Sequence, residues 1–162
     1  MRTRGARDSG TGEVMTALAE DAAQRIVRIK DNARVALYRY SRGRLLHTSR
    51  GIPILLLTTI GRRTGQPRTH PVGFCRVGGN RLIIAGTNRG IDHPPAWVAN
   101  LRAEPWARIE LGVVITDVLV RSVMSDQRDR LWRNMCERYP EYSKCSARSG
   151  RAFPVFLLEP IN

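Results

Sequence analysis

No run of about 18 apolar residues occurs in this sequence, so no membrane-crossing helix is expected. Cysteine is scarce. Cys75, Cys136 and Cys145 are odd in number, widely spaced and without a C-x-x-C pair, which argues against a disulfide scaffold and a structural zinc. The three histidines, His47, His70 and His93, lack metal-ligand spacing, so no metal is expected. No G-x-S-x-G gives a serine nucleophile its context. Lysine is almost missing: only Lys30 and Lys144 occur. The opening "MRTRGARDSGTGE" has no apolar core, so no signal peptide is expected and the cytoplasm is the expected home.

What is present is arginine. Lys and Arg number 27 against 14 Asp and Glu, a formal net charge of +13, which points to an anionic partner. Genome composition accounts for part of the arginine skew. A nucleic-acid partner is not expected. The chain has no helix-turn-helix, zinc finger or aromatic RNA platform, and its arginines are spread rather than clustered.

A length of 162 residues makes one domain. Residues 1–12 read as a disordered tail and 13–50 as an N-terminal helix and loop. Leu18, Ala22, Ile26, Ile29, Ala33 and Leu37 recur at helical spacing and predict the helix's packing stripe. From Met1 to Arg50, ten Arg and Lys30 stand against five acids. The helix is expected to cap the domain; a weak contact with a membrane surface, peripheral at its inner face, is the competing reading, weakened by an alanine-rich stripe.

Residues 51–162 are read as one strand-rich domain. Strands are predicted at 54–59, 68–77 and 81–85, with a tight "VGGN" turn between the last two. Pro94 and Pro95 open a short helix at 96–103. A hairpin follows at 107–111 and 114–123, then a helix capped by Ser125, a tyrosine-containing segment, and a last strand in "FPVFLLEP". Cys75, Cys136, Trp106 and Trp132 are expected in the core. Short links between strand pairs exclude a doubly wound parallel sheet and predict an α+β fold: a small antiparallel barrel with helices against it.

The end of the first strand carries chemistry. "GRRTGQPR" is no P-loop, since it lacks G-x-x-x-x-G-K-[ST] and leads into a strand. Its parts nevertheless suit an oxyanion. Gly61 and Gly65 let the backbone bend; Arg62, Arg63 and Arg68 offer forked cationic donors; Thr64 and Gln66 add neutral ones. A solvated hairpin turn is the plain alternative.

Four pieces, "LLLTTIGRRTGQPRTHPV", "GTNRGIDHPPAWVANLRAEP", "RYPEY" and "RAFPVFLLEP", resemble in order and separation the deazaflavin (F420)-dependent nitroreductase family of actinobacteria. The resemblance implies a split β-barrel similar to flavin-binding (FMN-binding-like) oxidases, mostly antiparallel. It implies that Arg62, Arg63, Thr64, Gln66 and Arg68 grip the phosphate and tail of coenzyme F420. Ala85, Gly86, Thr87 and Asn88 would run along the deazaflavin ring, with Trp97 near it. Tyr139 and Tyr142 would close over a flat acceptor, Cys145 would stand where a third tyrosine is common, and the proton would come from Tyr142 or from water. The implied reaction passes a hydride from reduced F420 to a quinone, enone or nitro-aromatic. The chain departs from the family where Asn88 replaces a usual Lys, at Cys145, and at Ser149 for a Thr. Two alternatives stay open: a non-catalytic split barrel that sequesters a cofactor or lipid, and an FMN-dependent reductase, since a basic turn recognises phosphate without identifying the ring. Split barrels often pair, so a homodimer is the expectation.

Overall fold

The computed structural model describes residues 9–161. Of the tail expected over 1–12, residues 1–8 lie outside the described residues, and 9–12 begin the first helix. The elements run α1 (Ser9–Tyr40), β1 (Thr48–Ser49), β2 (Ile52–Ile60), β3 (Pro67–Arg76), β4 (Leu82–Ala85), α2 (Ala96–Ala103), β5 (Trp106–Leu111), β6 (Val114–Val123), α3 (Ser125–Arg138), α4 (Pro140–Ser149) and β7 (Val155–Pro160). The strands expected from the apolar runs are all present, within two residues of their expected ends.

All strand pairings are antiparallel. The sheet order is β1-β2-β3-β4-β7-β6-β5, and β2 also pairs with β5, which closes β2 to β7 into a six-stranded barrel. This is the α+β split barrel expected from the short connections. Closure removes the free edges that a six-stranded sheet would otherwise expose. The long strand β2 holds the register: Leu57 lies opposite His70 of β3 and Ile109 of β5.

Period-two alternation sorts β2 onto two faces. Leu55 and Leu57 point inward to a core with Val72, Phe74, Ile84, Trp97, Phe156 and others. Leu56 points outward, where Val35 and Tyr38 of α1 cover it. Burial on both faces explains why "ILLL" reads as an unbroken apolar run. A second cluster fills the space between the sheet and helices α3 and α4, around Cys75, Ile83, Met135, Tyr142 and Leu157.

Helix α1 packs through a face the sequence did not single out. Val35 and Tyr38 are buried, whereas Leu18, Ile26, Ile29 and Leu37 are exposed. The reason is polar as well as apolar. The Tyr38 hydroxyl accepts from the Gly112 N–H at 3.0 Å and lies 3.4 Å from the carbonyls of Ile54 and Glu110. Arg39 pairs with the buried Glu110, and Asp31 with His70 at 3.2 Å. These contacts fix the helix rotation, and the stripe is left outside.

Three smaller expectations also change. Ser125 does not cap α3: Met124 occupies the cap position in an extended conformation, and no side chain caps the turn. Trp106 stands 38% exposed on β5, facing away from the barrel, with its indole N–H donating to Glu104. The tyrosine segment is a helix, α4, opened by Pro140 at its first turn and closed by Gly150 at φ +64°.

The loop after α1 crosses the β5–β6 turn at backbone contact. Gly43 has φ +76°, and a Cβ there would stand 2.5 Å from the Cα of Gly112. Both the dihedral and the clash oppose a side chain. Gly43→Ala is expected to cost about 2 kcal/mol or more, seen as a fall of roughly 4–8 °C in the thermal midpoint. An unchanged midpoint would refute the close packing of helix and hairpin.

Candidate active site

The β2–β3 connection is built from its own backbone. The Gly61 N–H donates to the Gln66 carbonyl at 2.8 Å, while the N–H groups of Thr64 and Gly65 both donate to the Gly61 carbonyl. Gly65 takes φ +64°. A Cβ on Gly61 would lie 2.7 Å from Thr64 Oγ1, so the turn is tight from within. Folding inward the carbonyls leaves the side chains of Arg62, Arg63, Thr64, Gln66 and Arg68 outside, and all five are exposed.

Among the described residues, these arginines lack the carboxylate partner that six others in the chain have. Arg39, Arg50, Arg108, Arg121, Arg128 and Arg148 pair with carboxylates. Arg62, Arg63 and Arg68 make no ion pair among the described residues. Their charge is uncompensated locally and close in sequence, the condition for receiving an anion.

Helix α2 joins this turn to the next segment. Asn100 is buried; its amide donates to Thr59 Oγ1 at 3.0 Å and its carbonyl accepts the Arg62 N–H at 3.2 Å. Two residues earlier, Val98 packs on Gly86, where a Cβ would come within 2.7 Å of Val98 Cγ2 and 2.9 Å of Pro154 Cγ. The sequence reading did not select Asn100. A buried amide just over one turn into a largely apolar helix was the available signal, because such a group must find partners.

The segment after β4 is unusual in its backbone. Ala85 and Gly86 are buried, Thr87 and Asn88 half-buried. Asn88, Arg89 and Gly90 then take φ +47°, +56° and +82° in succession. Helix α4 abuts them: the Arg148 guanidinium donates to the Arg89 carbonyl at 3.1 Å, and Gly90 lies so close to the Cys145 carbonyl that a Cβ would meet it at 3.0 Å. The turn, α2, this loop and α4 therefore form one continuous run of contacts.

The aromatic residues lie deeper. Trp97 is 5% exposed, edge-on to Phe156 in the barrel core. Tyr142 is 3% exposed, beside Trp132 and Tyr139 in the second cluster. Trp132 itself is half-buried there. Tyr139 is half-buried and Cys145 buried, with its sulfur 3.1 Å from Arg148 Nη2. The Tyr142 hydroxyl has no hydrogen-bond partner, and the space above Gly73 admits it: a Cβ there would sit 2.9 Å away. Burial, first, and then nearby Cys75 push the phenol's pKa well above its ordinary value. Burial likewise pushes the Cys75 thiol up to about 12. His70 is held by Asp31, and His93 is exposed beside Asn88. No group of three or more metal-ligating side chains occurs among the described residues.

A hollow of about 490 Å³ lies elsewhere, between Arg39, Arg42, Arg108, Glu110, Gly112, Val113 and Ile115. Arg39 and Arg108 are already paired there, with Glu110 and Asp117. Its charge is largely neutralised internally, unlike that of the β2–β3 turn.

Removing the Asn100 amide should loosen the turn from below. Asn100→Ala is expected to cost about 1–3 kcal/mol and to speed amide exchange selectively over residues 61–66. Uniform exchange with an unchanged melt would show that the amide does not hold the turn.

Comparisons with known proteins agree with this geometry. Residues 30–160 match the family model described as F420H(2)-dependent quinone reductase. An F420H(2)-dependent quinone reductase of Mycobacterium tuberculosis (strain ATCC 25618 / H37Rv) is 36% identical over 130 residues, covering 76% of this chain and 85% of that protein. A solved F420-H2 dependent reductase (FDR-A) is 28% identical, covers 66% of this chain and 94% of its own, and superposes with TM-score 0.59. A solved domain-swapped dimer, 24% identical with TM-score 0.61, covers 89% of this chain and 98% of its own and shares the fold. A barrel closed by β2 and β5, with its uncompensated arginines on the β2 turn, is thus the scaffold of an oxidoreductase: the chain belongs to the F420H(2)-dependent quinone reductase family, whose cofactor is coenzyme F420.

Proposed function

We propose that this protein reduces a quinone with F420H2, and that the β2–β3 turn is the anchor for the cofactor's anionic tail. The observation that carries the reading is the set of three guanidiniums, Arg62, Arg63 and Arg68, on a glycine-bent turn without an ion pair among the described residues. That donor set fits a phosphate, with Thr64 and Gln66 as neutral donors at its edge. When bound, the reduced cofactor supplies the hydride. The protein's part is binding, orientation and exclusion of water.

In this reading Ala85, Gly86, Thr87 and Asn88 line the ring's edge. Gly86 leaves no room for a side chain on the α2 side, so the backbone there keeps one position. Trp97 supports the ring from within the core, and Tyr139, Tyr142 and Cys145 form the wall on the acceptor side. Tyr142 is the proposed proton donor. Its buried hydroxyl lacks a hydrogen-bond partner among the described residues. An enone and a nitro-aromatic are assayed as acceptors beside the quinone in the test.

Binding is followed by fluorescence with oxidised F420 and, separately, FMN; turnover is followed with F420H2 and menadione. F420 is expected to bind and F420H2 to be reoxidised. Arg62→Ala and Arg68→Ala should each weaken binding roughly tenfold to a hundredfold, one lost charge-assisted hydrogen bond apiece. Tyr142→Phe should keep binding and slow turnover. Parent-like binding by both arginine variants would refute the anchor. Tight binding without turnover would favour a sequestering protein, and preferential FMN binding a flavin reductase.

The exposed face of α1 supports a homodimer. Met15, Leu18, Ala22, Ile26, Ile29, Ala33, Leu37 and Tyr40 repeat at eleven-residue intervals, and all are exposed. From Ser9 to Ala22 the sequence has three acids and no base; from Ala23 to Tyr40 it has five bases and one acid. Two such helices side by side and antiparallel set unlike halves together, and the alanines permit close approach. No described helix is long and apolar enough to cross a membrane. Light scattering on a sizing column is expected to give twice the 18.2 kDa chain mass, and Ile26→Glu with Ile29→Glu to give the monomer. A monomeric parent that co-sediments with anionic vesicles would assign the face to a membrane surface instead.

A further inference from the structure

Arg151 was not selected by the sequence reading, yet it is the residue on which the loop after β4 converges. Its Nε donates to the Ile91 carbonyl at 3.1 Å. Its Nη2 lies 3.2, 3.1 and 3.2 Å from the carbonyls of Gly86, Thr87 and His93. One side chain thus gathers four carbonyls from both ends of an eight-residue loop. Among the described residues no carboxylate pairs with it.

The loop needs such a fastening. Three successive residues with positive φ include two with side chains, Asn88 and Arg89. A residue with a side chain is strained in that region and persists there only where its surroundings over-determine it. Carbonyls collected on one cation are turned to one side, and that supplies the determination. Arg148 adds a further bond, to the Arg89 carbonyl.

Arg151 is itself immobilised. Its guanidinium lies over the Phe153 ring at 4.5 Å from the centroid. Phe153 is 1% exposed, its ring lies 5.2 Å from that of Trp132, and its carbonyl accepts from Arg128 at 3.0 and 3.2 Å. The Pro154 carbonyl accepts the Gly86 N–H at 2.9 Å. The segment 151–154 is therefore a rigid post, and the loop hangs from it.

We propose that Arg151 is a positioning residue for the cofactor's ring: it holds the loop Gly86–His93 in the left-handed shape that presents its backbone to the deazaflavin. This rests on the reading that the loop runs along the ring. Lysine cannot replace it, because a single ammonium lacks the planar fork that spans four acceptors. The effect belongs to the ring and not to the phosphate anchor, which meets α2 at Asn100 while the loop meets it at Val98.

That separation sets the experiment. Two ligands are titrated by fluorescence: F420, and the 8-hydroxy-5-deazaflavin ring with its ribityl chain but no phosphate. Amide exchange is measured over residues 87–91. Arg151→Lys is expected to weaken both ligands by about tenfold or more, the loss of at least one hydrogen bond's preorganisation. The affinity ratio between the ligands should stay that of the parent, and amides 87–91 should exchange faster. Arg62→Ala should weaken F420 alone. Arg148→Gln, which removes the bond to the Arg89 carbonyl together with the contacts to Glu141 and Cys145, should give a smaller loss of the same kind and serves if Arg151→Lys does not fold. Parent-like ring binding and loop exchange in the variant that folds would overturn the inference while leaving the anchor standing. A parent that binds neither ligand would overturn the cofactor reading and this inference together.

Discussion

The fold depends on one strand being paired on both sides. Strand β2 bonds to β3 along its length and to β5 at Leu56, Leu57 and Thr58. That second pairing turns an open sheet into a barrel and gives the inward leucines an enclosed interior. It also decides where function can sit. The outward face of β2 is taken by α1 and the inward face by the core, so only its end, the basic turn, is free to meet a ligand. The turn inherits the rigidity of a strand buried on both faces and lends it to exposed side chains.

Much of this was legible in the sequence, for identifiable reasons. Unbroken apolar runs and short polar links require antiparallel strands, and the helix at 96–103 was marked by proline before and after it. The basic turn was visible because glycines and arginines alternate there. Other features were invisible because they depend on contacts distant in sequence. Nothing local says that Tyr38 will find the amide of Gly112, 74 positions on, so the face of α1 that docks was misjudged. Periodicity reported a genuine stripe but not what would cover it. Arg151 looked like one arginine among 25, and only the path of the loop beside it gives it four acceptors.

The same contrast runs through the site. Anchoring residues are solvent-exposed and can be read as a pattern; supporting residues are buried and act through shape. Asn100, Gly86 and Val98 connect the turn to the loop by one amide and one missing side chain. The turn and the loop after β4 thus share one support, helix α2.

The barrel's hairpin turns are unequal in one respect that matters for engineering. At Gly79 the position of an added Cβ meets nothing within 4 Å, whereas the turn at Gly112 is pressed under the loop that follows α1. A tag or dye grafted at the first tip has open solvent to occupy. At the second it would act as a wedge and prise the long helix from the barrel wall, which fluorescence of an indole placed at Leu56 would register. The molecule therefore has one handle and one latch, and the crossing of two glycines distinguishes them.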